Sequence, residues 1–168
     1  MPLLAICSRN DVRQTAKNTK AEVLIGLLQR NLTFAKSPRV APENHLRIVM
    51  DDTHNRKDRD APTRDQIDRI IAFYNDRRHL PAMVHCEAGV STSTSTGLAL
   101  LTMDGLTPAD AAKKLDMLCL EPRPNLLVAR IFDDALGHNG ALFAVSALLR
   151  ERHDQEHSSV YQSYAPRM

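Results

Sequence analysis

The sequence predicts an α/β domain built on a central, mostly parallel sheet flanked by helices. Three observations lead there. Apolar, β-rich runs fill the first half, helical periodicities fill the second, and a strand-loop-helix unit joins them at residues 81–101. Residues 3–7 read as a first buried strand, and a polar separator from Ser8 to Lys20 divides them from a second over Glu22 to Leu28. The segment 35–42 carries two prolines and reads as a loop, after which His45-Leu46-Arg47-Ile48-Val49-Met50 is a third strand ending at Asp51-Asp52. The polar run DDTHNRKDRD that follows reads as an exposed loop, with His54, Arg56, Lys57 and Arg59 on a solvated face.

Thr63 and Gln66 have the spacing of a capping box, and Ile67, Ile70, Ile71 and Tyr74 recur at helical intervals up to Arg78. Residues 81–86 form a short apolar strand that runs directly into small residues and then a helix through Leu98 to Leu101. Pro108 opens another helix at its first position. Pro124 opens a further one that carries Leu127, Val128, Ile131 and Leu136 before Gly137 stops it. A last helix uses Leu142, Val145 and Leu149. After Arg152 apolar periodicity is lost, so residues 1–152 are expected to form one domain and 153–168 a flexible tail.

Composition narrows the class. At 168 residues, with 43% apolar and 25% charged residues, the chain can bury one core, and a net charge of +2 gives no reason to expect nucleic acid. No apolar stretch reaches the roughly 20 residues of a membrane span, and the first residues lack the basic leader of a signal peptide. Three cysteines without CxxC spacing suit a reducing compartment, so a cytoplasmic location is expected. Cys7 and Cys119 read as core thiols. No cofactor and no metal are expected.

A cysteine at a strand end, followed by small residues and a helix, is a recipe for binding an anion. The backbone N–H groups of Glu87, Ala88, Gly89, Val90, Ser91 and Thr92 can curl around a phosphate or sulfate, and the helix N-terminus adds its partial positive charge. The same field favours a thiolate at Cys86 and so a nucleophile. Gly89 permits the tight curvature. His85 can support the loop through its ring, and Ser93 can donate a hydrogen bond to the sulfur as it leaves.

These residues, His85-Cys86-Glu87-Ala88-Gly89-Val90-Ser91-Thr92-Ser93, closely resemble the HCxAGxSRS signature of the tyrosine and dual-specificity phosphatases. The resemblance extends to the strand and loop from Leu46 to Asp52, the helix before the signature, and Pro124-Asn125 with the helix after them. It covers residues 1 to about 150 and is nearest the compact bacterial tyrosine-phosphatase-like proteins. It implies a small tyrosine-phosphatase-like fold, a phosphocysteine on Cys86, and a loop aspartate as general acid. Asp52, 34 residues before the cysteine, matches that place, with Asp51 as its rival. The departure is Thr92, which stands where the family has the arginine that grips two phosphate oxygens. Arg56 and Arg123 are cations that can approach from elsewhere.

The expected activity is therefore hydrolysis of phosphate monoesters, weakened by Thr92, with a phosphorylated protein or small phosphate ester as the partner. A pseudophosphatase that binds phosphate without turnover is the alternative, and a rhodanese-type sulfurtransferase ranks last. Oligomeric state has no signature in the sequence.

Overall fold

In the computed structural model, which describes residues 4–163, four strands form one parallel sheet: β1 (Leu4–Ser8), β2 (Val23–Leu28), β3 (His45–Val49) and β4 (Ala82–Cys86). Their order is β1-β4-β2-β3, with Ser8 beside Cys86 and Gly26 beside His85 in register. Every strand pair is parallel, so all four carboxyl ends meet at one edge. Both faces of the two central strands are covered, which explains why every residue of β2 and β4 is buried and why His85 is the one polar side chain in them.

Six helices cover the sheet: α1 (Val12–Thr19), α2 (Arg64–Asn75), α3 (Thr92–Met103), α4 (Pro108–Leu118), α5 (Leu126–Leu136) and α6 (Ala141–Ser163). Side chains alternate along β4. Ala82, Val84 and Cys86 join the large core with α2 to α6, while Met83 joins a smaller one with Ala5, Leu24, Val12 and Ala16. Of the six helices, only α1 supplies residues to that smaller core.

Local chemistry accounts for most boundaries. Thr63 and Gln66 complete a reciprocal capping box on α2. Thr107 accepts from the Asp110 N–H with Pro108 at the first helical position of α4, and Gly137, at φ +71°, ends α5 in the left-handed conformation.

Three expectations are corrected. The polar separator from Ser8 to Lys20 contains α1, a helix that buries only Val12 and Ala16 and thus lacks an apolar stripe to betray it. Helix α5 begins after Asn125, whose side chain caps it, and not at Pro124. The chain does not leave helical structure at Arg152: α6 runs on to Ser163, with Arg152 bonded to Asp116 and Asp154 to Arg123, so ion pairs replace apolar contacts there. Residues 1–3 and 164–168 lie outside the described residues, so Leu3 of the expected first strand and the end of the expected tail are not placed. Among the described residues no helix is long and apolar enough to cross a membrane.

Candidate active site

The carboxyl ends of β2, β3 and β4 open onto a cavity of about 300 Å³, lined by Leu27, Leu28, Gln29, Met50, Asp52 and the 86–92 loop. A parallel sheet directs its ligands to this edge. Cys86 closes β4 here and is 6% exposed. Its Sγ accepts the Gly89 N–H at 3.1 Å and lies 3.0 Å from Ser93 Oγ. The loop thus curls back over its own sulfur, with the Gly89 amide donating to it and the Ser93 hydroxyl of the following helix at hydrogen-bond distance.

Gly89 is obligatory in this curl. Its φ is +81°, and a Cβ would lie 2.6 Å from the backbone of Cys7 and Ser8. The loop is fastened on two sides, by the Arg9 N–H donating to the Glu87 carbonyl and the Arg123 N–H donating to the Val90 carbonyl. His85 is fully buried beneath it. Its Nδ1 is 3.3 Å from the Cys86 carbonyl, an oxygen that can only accept, so Nδ1 carries the proton. Burial pushes the His85 pKa down and keeps the ring neutral. Gly26 makes room for it, since a Cβ there would meet His85 Nε2 at 2.7 Å.

Ser91 is the N-cap of α3 but does not cap it with its side chain. Its hydroxyl donates to Asp52 Oδ1 at 2.7 Å instead. The N–H groups of Thr92 and Ser93, in the first turn, have no intrahelical partner by helix geometry, and Thr92 lines the cavity. Here α3 presents the positive end of its dipole. Its next turn is tied down by hydroxyls: Thr94 Oγ1 donates to the Val90 carbonyl and Ser95 Oγ to the Asn125 carbonyl. The threonines and serines from Ser91 to Thr96 are all buried, which a merely exposed capping run would not require.

Asp52 lines the cavity and Asp51 does not. The Asp51 N–H is bonded to the Asp60 carbonyl across the base of the 51–60 loop. Asp52 Oδ1 accepts a second hydrogen bond, from Asn125 Nδ2 at 2.7 Å, and the same amide donates to the Thr53 carbonyl. Asn125 Oδ1 accepts from the N–H groups of Leu127 and Val128, so one buried side chain both caps α5 and holds the aspartate at the cavity rim. No sequence reasoning assigned it that role. The signal was the Pro-Asn dipeptide before a helix, which identifies a cap and nothing of what its amide reaches.

Thr92 is 3% exposed and faces the cavity at the position expected for the signature arginine. No lysine or arginine is among the residues that line the cavity. Arg56 is exposed on the 51–60 loop, as are His54, Lys57 and Arg59. Arg123 is engaged through Nε with Asp154 at 2.6 Å. Arg150, which sequence reasoning passed over, is mostly buried, donates to the Pro124 carbonyl and lies close enough to Asp52 and Arg123 to feel both charges. Cys119 also departs from expectation. It is not a core thiol but the half-buried C-cap residue of α4, with its sulfur 3.8 Å from the Gly89 carbonyl.

No protein-family model matches the sequence, and no curated protein is significantly similar to it. Solved structures do match. Human DUSP28 superposes with a TM-score of 0.63 at 20% identity, covering 83% of this chain and 96% of its own. The human tyrosine phosphatase-like serine/threonine/tyrosine-interacting protein gives 0.64 at 13% identity, covering 83% and 94%. PTPMT1, solved in complex with PI(5)P, gives 0.55 at 14% identity, covering 82% and 94%. At these identities the likeness establishes the fold: the chain folds as the dual-specificity and tyrosine phosphatases do.

Proposed function

We propose that this phosphatase-like fold carries a slow phosphate-monoester hydrolase, in which Cys86 attacks phosphorus and Asp52 protonates the leaving oxygen. One observation carries the reading. The Cys86 sulfur accepts a loop amide and lies at hydrogen-bond distance from the Ser93 hydroxyl, with a carboxylate held at the rim of the same cavity.

In the first step Sγ forms a bond to phosphorus as the ester P–O bond breaks, and the leaving oxygen takes the Asp52 proton. In the second, water attacks the phosphocysteine, returns a proton to Asp52 and releases phosphate and the thiolate, to which Ser93 donates. Loop amides and the α3 N-terminus hold the equatorial oxygens. Thr92 supplies one hydroxyl where a bidentate cation would tighten in the transition state. Losing one preorganised donor costs about 10²–10³-fold in turnover in other enzymes, so a slow rate follows. The partner is a phosphorylated protein or a small phosphate ester.

The second reading, a pseudophosphatase that binds phosphate without turnover, is favoured by the cavity wall, which contributes Asp52 and Glu87 but no cation. Turnover of an aryl phosphate by the wild type against Cys86→Ser separates the two. Hydrolysis above the Cys86→Ser level supports the hydrolase, and equal rates with retained phosphate binding support the binding module.

A further inference from the structure

Away from the cavity, three metal-binding side chains converge where α6 passes the α4–α5 connection. His153 and His157 are one turn apart on α6, their rings stacked with centroids 4.0 Å apart. Glu121, on the connection, approaches them, and one ligand atom from each of the three lies within 4.8 Å of the others. We propose that Glu121, His153 and His157 form a site for a divalent transition-metal ion of the Zn²⁺ class, fastening α6 to the connection that carries Arg123 and Asn125.

Hydrogen bonding around the trio supports this beyond proximity. His157 Nδ1 is 3.0 Å from the His153 carbonyl, which can only accept, so in the neutral ring Nδ1 holds the proton and Nε2 presents its lone pair. That lone pair faces Glu121 Oε2 at 3.6 Å. Either a proton on Nε2 or a metal ion reconciles this pair, and only a metal ion also engages the second imidazole. Fixing the far ring nitrogen of a ligating histidine on a carbonyl is the arrangement metal sites use to set the tautomer. Asp154, 3.4 Å from His153 Nδ1, stands in the corresponding place for the other ring and also neutralises Arg123, the nearby cation.

Two imidazoles and one carboxylate suit Zn²⁺, which takes nitrogen and oxygen ligands in a tetrahedral set and accepts a water in the fourth position. Bonds of about 2.0–2.1 Å place ligand atoms about 3.3 Å apart, so the widest separation shortens by about 1.5 Å. Glu121 and His157, both substantially exposed, have the rotamer freedom to supply that closure.

The test is isothermal titration of the whole protein with Zn²⁺ alone at about pH 8, where imidazoles are neutral. One equivalent is expected to bind in the micromolar range, and Glu121→Gln, His153→Gln and His157→Gln each weaken it at least about tenfold. Cys86→Ser and Cys119→Ser leave the affinity unchanged. Metal-free unfolding midpoints within error of the wild type show that the ligand variants fold. The Co²⁺ spectrum of the unsubstituted protein provides a second readout, with weak visible bands expected and no intense near-ultraviolet thiolate band. Absence of binding, affinity indifferent to the three substitutions, loss of binding in either serine variant, or a thiolate band each overturns the proposal.

Discussion

Cys7 and Cys86 lie on adjacent paired strands, yet their surroundings differ in kind. Burial pushes the Cys7 thiol up to about 11, and burial raises Cys119 as well. Neither stands at a helix N-terminus, whereas Cys86 has the Gly89 amide and the Ser93 hydroxyl at its sulfur. Iodoacetamide should therefore modify Cys86 at least about tenfold faster than either other cysteine in the native protein near neutral pH, and inorganic phosphate should slow that reaction alone. Equal rates in a mass-spectrometric time course would contradict the loop assignment. The motif made Cys86, Gly89 and Thr92 legible because each is defined by local sequence. Asp51 and Asp52 were indistinguishable in the same text. Their difference is tertiary: one N–H reaches the Asp60 carbonyl, while the neighbouring carboxylate reaches Ser91 and Asn125, the latter 73 residues away.

At the scale of elements, Asn125 couples the start of α5 to the acid loop. Removing it with Asn125→Ala takes away the cap of α5, worth about 1 kcal/mol, and at the same time one of the two hydrogen bonds that hold Asp52, leaving that from Ser91. Asn125→Ser separates the two effects, since serine caps helices but is too short to keep the amide bonds to Asp52 and Thr53. Urea unfolding should show the serine variant recovering about 1 kcal/mol relative to alanine. Steady-state kinetics should show both variants with the same loss of turnover. Recovery of activity along with stability would mean that Asn125 acts only through the helix. Elements with a strong apolar signature, the four strands and α2 to α5, were visible in the sequence. Helix α1 was not, because it lies on the thin side of the sheet and buries only Val12 and Ala16. The end of α6 was hidden for a related reason: from Arg152 it is held by Asp116, Arg123 and the Glu121 side, so its contacts carry charge and leave no hydrophobic period.

For the molecule as a whole, two histidines of the sheet make stability depend on pH. His45, at the start of β3, is pushed down from 6.5 to about 4, first by burial and then by Arg47, His85 and Lys36. His85 is shifted the same way by burial. Both are bases whose folded pKa lies below the unfolded value. As pH falls from 6.5 toward 4 the unfolded chain takes up protons that the folded chain refuses, and stability is lost across that window. His45→Gln removes one of those groups. Urea midpoints for this variant should fall less steeply over that window than those of the wild type, and an unchanged slope would place the acid sensitivity elsewhere.

The cavity brings Cys86, its loop and Asp52 together with no lysine or arginine in its lining, and on the proposed function that missing cation is what limits turnover. Thr92 opens α3 on the cavity wall, where a longer side chain can extend into about 300 Å³ of space and find Asp52 and Glu87 as counter-charges. A guanidinium there would grip the phosphoryl oxygens more tightly as charge develops, and so would act on turnover more than on binding. The most direct measurement is kcat and KM on an aryl phosphate for the wild type, Cys86→Ser and Thr92→Arg. The expected result is slow hydrolysis by the wild type, none above background by Cys86→Ser, and a gain in kcat of about 10²-fold in Thr92→Arg, which is about 2.7 kcal/mol of barrier. A Thr92→Arg protein that is folded, binds phosphate and turns over no faster than Cys86→Ser would contradict the claim.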